Sequence, residues 1–70
     1  IMKRLAPGYY TLDYKGQIIE VIKSDVDKET IWYFTINEGG AEDFFVTKKE
    51  CLESVKYLID HADKYDIILK

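Results

Sequence analysis

The sequence predicts an α+β domain: a three-stranded antiparallel meander, with room for a short fourth strand, packed on one C-terminal amphipathic helix. Three observations predict it. Thr30-Ile31-Trp32-Tyr33-Phe34-Thr35-Ile36 is rich in β-branched and aromatic residues, as strands are. Lys15-Gly16 separates two alternating runs, as a two-residue hairpin loop does. Thr47-Lys48-Lys49-Glu50 has the spacing of a capping box and precedes an apolar stripe of helical period.

The chain has 70 residues, enough for one small domain near the lower limit for a self-sufficient core. Its 47% hydrophobic and 14% aromatic content is too rich for a disordered segment, so the chain is expected to fold. Residues 1–7 read as an N-terminal arm, 8–46 as the sheet, 47–65 as the helix and 66–70 as a tail. Ala6-Pro7-Gly8 is a chain breaker that launches the first strand. From Tyr9 to Tyr14, Tyr10, Leu12 and Tyr14 share one face; Tyr9, Thr11 and Asp13 share the other.

Gln17 to Lys23 is the second strand, and the short loop fixes its register. Tyr14 should pair with Gln17, Leu12 with Ile19 and Tyr10 with Val21 on the face suited to the core. Asp13 should pair with Ile18, Thr11 with Glu20 and Tyr9 with Ile22 on the opposite face. A slip of one residue would exchange the faces. Residues 24–29 form a polar connection, and Thr30 to Ile36 is the third strand. In it Trp32, Phe34 and Ile36 face one way, and Ile31, Tyr33 and Thr35 the other.

Asn37 to Asp43 is an acidic loop with two glycines, and Phe44-Phe45-Val46 is a brief extended piece. In the helix, Cys51, Leu52, Val55, Leu58, Ile59, Ala62 and Tyr65 form the apolar stripe. Val46 and Cys51 stand at the positions of a hydrophobic staple. Lys49, Glu53, Lys56, Asp60 and Asp63 form the wet side, with Asp60 and Lys64 spaced for an i,i+4 pair. The tail Asp66-Ile67-Ile68-Leu69-Lys70 suits a helical extension, a short strand or a plug under the sheet edge equally well.

Ten basic and thirteen acidic residues give a net charge of −3, and Arg4 is the single arginine. The lysines are scattered among carboxylates, which argues against the clustered basic footprint of a nucleic-acid binder. Cys51 is the single cysteine, so no internal disulfide forms and a reducing compartment is expected. No apolar run of the sequence reaches transmembrane length, and no signal peptide is expected. Met2-Lys3-Arg4 reads as a start with Ile1 left before it, and the chain is expected to be a complete cytoplasmic protein.

Motifs of chemistry are weak. Asp25, Asp27 and Glu29 alternate like the opening of a calcium loop, but Thr30 and Ile36 replace the required Gly and Glu. Cys51 and His61 are two soft ligands where a zinc site needs more. No nucleophile pairs with a base at a recognisable spacing, and Gly39-Gly40 opens no helix. The expectation is no catalytic residue, no metal and no cofactor.

What remains is the second face of the sheet. One helix covers one face, which leaves Tyr9, Ile18, Ile22, Ile31 and Tyr33 contiguous on the other, fringed by Thr11, Asp13, Glu20 and Thr35. An apolar surface with a polar rim marks a partner site. The expected partner is a protein or a second copy in a homodimer. A small-molecule sponge would instead require a pocket between the helix and the acidic loop.

Two resemblances follow from these residues. Three strands and one helix resemble, in topology, the arm-type DNA-binding domain of tyrosine-recombinase integrases, which implies a sheet laid in the major groove. That family's sheet is basic, whereas this one carries Asp13 and Glu20. Leu5-Ala6-Pro7-Gly8-Tyr9-Tyr10, Tyr14-Lys15-Gly16, Ile31-Trp32 and Phe45-Val46-Thr47-Lys48-Lys49-Glu50 resemble small uncharacterised phage-encoded proteins. These share a G-Y-Y start, a Y-x-G turn, a central Trp and a T-K-[KR]-E helix cap. That resemblance implies a phage origin more than an activity; an accessory protein of the host cytoplasm that inhibits a host enzyme or defence component is the role expected of such a binding domain.

Overall fold

The computed structural model describes residues 2–39 and 43–64. Four antiparallel strands lie in the order β1-β2-β3-β4: β1 is Lys3–Ala6, β2 Tyr9–Tyr14, β3 Gln17–Val26 and β4 Glu29–Ile36. One helix, α1 (Lys48–Asp60), follows.

Each hairpin turn is tight. Lys15 and Gly16 both have positive φ (52° and 80°), which matches the right-handed twist of the strands they join. The Asp13 carboxylate accepts from the Gly16 N–H at 3.0 Å and steadies that turn. β2 and β3 consequently pair in the expected register: Tyr14 with Gln17, Leu12 with Ile19, Tyr10 with Val21 and Tyr9 with Ile22.

The connection expected over residues 24–29 is much shorter. β3 runs to Val26, β4 starts at Glu29, and Asp27-Lys28 turn the chain with φ of 51° and 69°. Asp tolerates that left-handed backbone better than most side chains do. Asp25, paired opposite Thr30, accepts from its hydroxyl at 2.9 Å and helps close the ladder.

One correction concerns the sheet margin. Residues 3–6, expected within an arm, form β1, with Lys3 opposite Thr11 and Arg4 opposite Tyr10. Edge strands are often short and charged, so they lack the apolar alternation that reveals inner strands. The turn needs Gly8: its φ is 75°, and a Cβ there would come within 2.9 Å of the Lys23 Cβ. At the other margin, Phe44–Val46 contributes an isolated bridge. The Phe45 N–H donates to the Trp32 carbonyl at 2.8 Å, and the Phe45 carbonyl accepts from Trp32 N–H at 2.7 Å.

The core lies between the sheet and α1. Leu12, Ile19, Val21 and Phe34 from the strands meet Cys51, Val55 and Ile59 from the helix, all buried. Trp32, Ile36, Leu52 and Leu58 pack around them. Each aliphatic side chain so buried stabilises the fold by roughly 1.5–3 kcal/mol.

At the helix start, Thr47 Oγ1 accepts from the Glu50 N–H at 3.1 Å, the cap the sequence predicts. The staple does not form, since Val46 is 75% exposed. α1 ends at Asp60, short of residue 65, and residues 61–64 are a turn in which Lys64 N–H donates to His61 O. Asp60 does not take Lys64 as its partner: it pairs with Lys15 and accepts from the Tyr14 hydroxyl at 3.0 Å. The expectations for Tyr65 and the tail lie outside the described residues.

Candidate partner-binding face

The alternation that sends Ile19 and Val21 into the core sends Ile18, Glu20 and Ile22 to the opposite face, where α1 does not reach. Pairing then sets the neighbours. Tyr9, Ile22 and Tyr33 stand in one cross-strand row, and Ser24 and Ile31 stand in the next. These apolar side chains are half-buried by one another. The edge of the Phe44 ring meets Tyr33, with centroids 6.4 Å apart, and extends the row past β4.

Four of the five expected residues, Tyr9, Ile22, Ile31 and Tyr33, are thus brought together. Ile18 is not. It lies two residues beyond Glu20 on β3, opposite Asp13, and is 40% exposed beside Asn37, whose side-chain carbonyl accepts from the Ile18 N–H at 2.9 Å. The Glu20 carboxylate divides the face, and it is held there. Both the Tyr9 and Thr35 hydroxyls donate to it, the latter at 3.1 Å. Tyr9 is pushed above its ordinary pKa, chiefly by that hydrogen bond, then by burial and by the fields of Glu20 and Glu38.

Sequence reasoning missed Phe44. It is 63% exposed and stands between two open grooves at the end of the face. One, of about 450 Å³, is lined by Glu29, Thr30, Ile31, Phe44, Phe45 and Val46. The other, of about 420 Å³, has Val26, Asp27 and Tyr33 in its wall and shares Glu29, Ile31 and Phe44 with the first. The signal was present in the Phe44-Phe45 pair: in an extended segment one ring must point away from the core. Phe45 stacks on Phe34, so Phe44 is the ring that points away.

Both grooves flank the β4 edge, away from the position between helix and acidic loop that a small-molecule sponge would require. Residues 40–42 of that loop lie outside the described residues.

The helix side of the sheet differs in charge. Arg4 is the cross-strand partner of Tyr10, and Lys23 that of Trp32. The Lys48 ammonium stands 4.4 Å above the Tyr10 ring, while Tyr10 and Trp32 lie 6.2 Å apart. Lys48 thus stands over Tyr10 beside the start of α1, and Arg4 and Lys23 are the cross-strand neighbours of the two rings.

The remaining candidate groups are accounted for locally. Asp25 faces the helix side with Thr30, whereas Glu29 lines the grooves opposite, so the two acids do not converge. Cys51 is fully buried, and burial pushes its thiol up to about 11, so it stays protonated and inert at neutral pH. His61 rests against the Tyr57 ring with centroids 4.3 Å apart. Among the described residues no group of three or more His, Cys, Asp or Glu could hold a metal ion. Nor, among them, is any helix long and apolar enough to cross a membrane.

Comparisons with protein-family models, curated proteins and solved structures find no match to this chain.

Proposed function

We propose that this protein acts by binding another protein through the open sheet face and carries out no catalysis of its own. The row Tyr9-Ile22-Tyr33, with Ile31 beside it and exposed Phe44 at its end, carries the reading. Isolated exposed apolar side chains are ordinary, whereas a continuous aromatic and aliphatic row with a polar rim favours a partner. Tyrosine adds weight, being among the commonest anchors at interfaces. The resemblance to small phage-encoded proteins supports an accessory role in the host cytoplasm, with a host enzyme or defence component as the protein occupied. A second copy of the chain is the other partner to consider.

The test is capture from a host lysate by the wild-type protein and by an Ile22→Glu/Tyr33→Glu variant. Both side chains are half-exposed, so the variant keeps its fold, as circular dichroism can check. Partners should be lost, and any self-association seen by light scattering should fall. The same partners held equally well by the variant would end the reading.

A nucleic-acid-binding module of integrase-arm type is the second reading, favoured by Arg4, Lys23 and Lys48 around Tyr10 and Trp32. Aromatic rings flanked by cations suit stacked bases and phosphates. Oligonucleotide binding that falls steeply with salt and is lost in Lys23→Glu/Lys48→Glu would favour it.

A further inference from the structure

We propose that the open face receives a basic amphipathic segment of a different protein, with apolar side chains on Ile22, Tyr33 and Phe44 and lysine or arginine heads against Glu20 and Glu29. The inference rests on the open face being the binding surface, and it adds the charge of what binds there.

The first ground is charge segregation. β2, β3 and β4 place no lysine or arginine on this face, whereas Asp13, Glu20 and Glu29 all stand on it. Asp27 lines one groove, Asp43 precedes Phe44, and Glu38 acts on Tyr9 through its field. Lys3, at the β1 margin opposite Thr11, and Lys28, beside Asp27 in the β3–β4 turn, are basic residues at its margins. Arg4, Lys23 and Lys48 stand on the helix side. Among the described strands, acidic side chains are thus concentrated towards one surface.

The second ground is the geometry of the grooves. Ile31, Phe44 and Glu29 are common to both, so an apolar wall and a carboxylate are adjacent in each. An aliphatic stem can lie along Ile31 and Phe44 and place its ammonium or guanidinium beside Glu29. A neutral or acidic segment would gain the apolar contact and meet an unpaired carboxylate.

Charge also selects between a second copy and another protein. A two-fold symmetric dimer brings one surface against itself, so one acidic face would meet another. Juxtaposed like charges suppress such pairings. Phosphate backbones are disfavoured on this face for the same reason.

Two helical peptides with the same leucine pattern serve as probes, one with lysine and one with glutamate at every polar position. Fluorescence anisotropy of the labelled peptides reads their binding. The lysine peptide should bind at least about tenfold tighter than the glutamate peptide, and the difference should shrink as salt screens the charges. A Glu20→Gln/Glu29→Gln variant should weaken the lysine peptide several-fold and flatten its salt dependence. Tyr33→Ala/Phe44→Ser should weaken it too, which excludes attraction to acidic surface elsewhere.

Equal binding of both peptides through Tyr33 and Phe44 would overturn the charge selection and leave the open-face reading standing. Absence of binding by the lysine peptide, or binding indifferent to both variants, would overturn the inference as well. The open-face reading would still be judged by lysate capture.

Discussion

Ile18 and Ile19 are neighbours on β3, yet Ile18 is 40% exposed and Ile19 is 0% exposed. The same contrast holds for the whole sheet. On one face, Ile19, Val21 and Phe34 are closed over by Val55 and Ile59. On the other, Ile22, Tyr33 and Ile31 lie beside Tyr9 and Phe44, and no described helix covers them. The side chains are of similar kind. The difference lies in what covers them, because a single helix of 13 residues can close only one side. One face therefore supplies stability, and the other is available for recognition.

The contrast can be broken most forcefully by truncating matched residues. Ile19→Ala should cost about 2–5 kcal/mol, a large part of what a small domain has. Ile18→Ala should change stability by less than about 1 kcal/mol, since exposed side chains lose little on truncation. Urea denaturation followed by circular dichroism would read both, and equal losses would mean that the faces are not distinct.

A smaller effect is expected where the helix is fastened over the core. Thr47→Ala removes the acceptor of the Glu50 N–H and should cost about 0.5–2 kcal/mol in the same measurement. A loss near zero would show that core packing alone positions the start of α1.

The pH profile sharpens the comparison further. Cys51 titrates at about 11 in the buried face against an ordinary 9.0, so the folded state holds its proton more tightly. Stability should be fully present below pH 9.0 and fall as pH rises through about 11. A Cys51→Ala variant should lose that part of the alkaline fall. Native Cys51 should also resist thiol reagents near neutrality until the chain unfolds. Asp60 works in the opposite direction. Lys15 beside it is the main reason that it lies below its ordinary 3.8; desolvation, next in size, pulls the other way, and the Tyr14 hydroxyl adds to the lowering. The folded state therefore binds fewer protons, and the Asp60 contribution is lost as pH falls below 3.8.

The smallest effect should come from breaking that tether. Lys15→Ala and Tyr14→Phe should each leave the urea midpoint close to that of the wild type, because exposed ion pairs and hydrogen bonds exchange readily with water.

Much of the fold was legible because it follows from short-range rules. Lys15-Gly16 set the β2–β3 register, and that register alone fixed which side chains share a face. Thr47 announced the helix start. β1 was not legible: its four residues are all exposed and carry no alternation to read. The tether from Asp60 to Lys15 spans 45 positions, so no local spacing announces it.

For the candidate face, the sequence indicated the membership better than the shape. Glu20 was read as rim, yet the hydroxyls of Tyr9 and Thr35 hold it in the midst of the face and cut Ile18 away. Phe44 was read as a step toward the helix, because its exposure follows only from the bridge that fixes Phe45.

The most direct test uses isoleucine itself, since β3, β4 and α1 distribute it over both faces. Methyl NMR spectra can be recorded as the leucine–lysine peptide, or a captured partner, is added. The methyls of Ile22 and Ile31 should shift while those of Ile19 and Ile59 stay in place. Shifts confined to Ile19 and Ile59, or no shift at Ile22 and Ile31 when binding is saturated, would contradict the account.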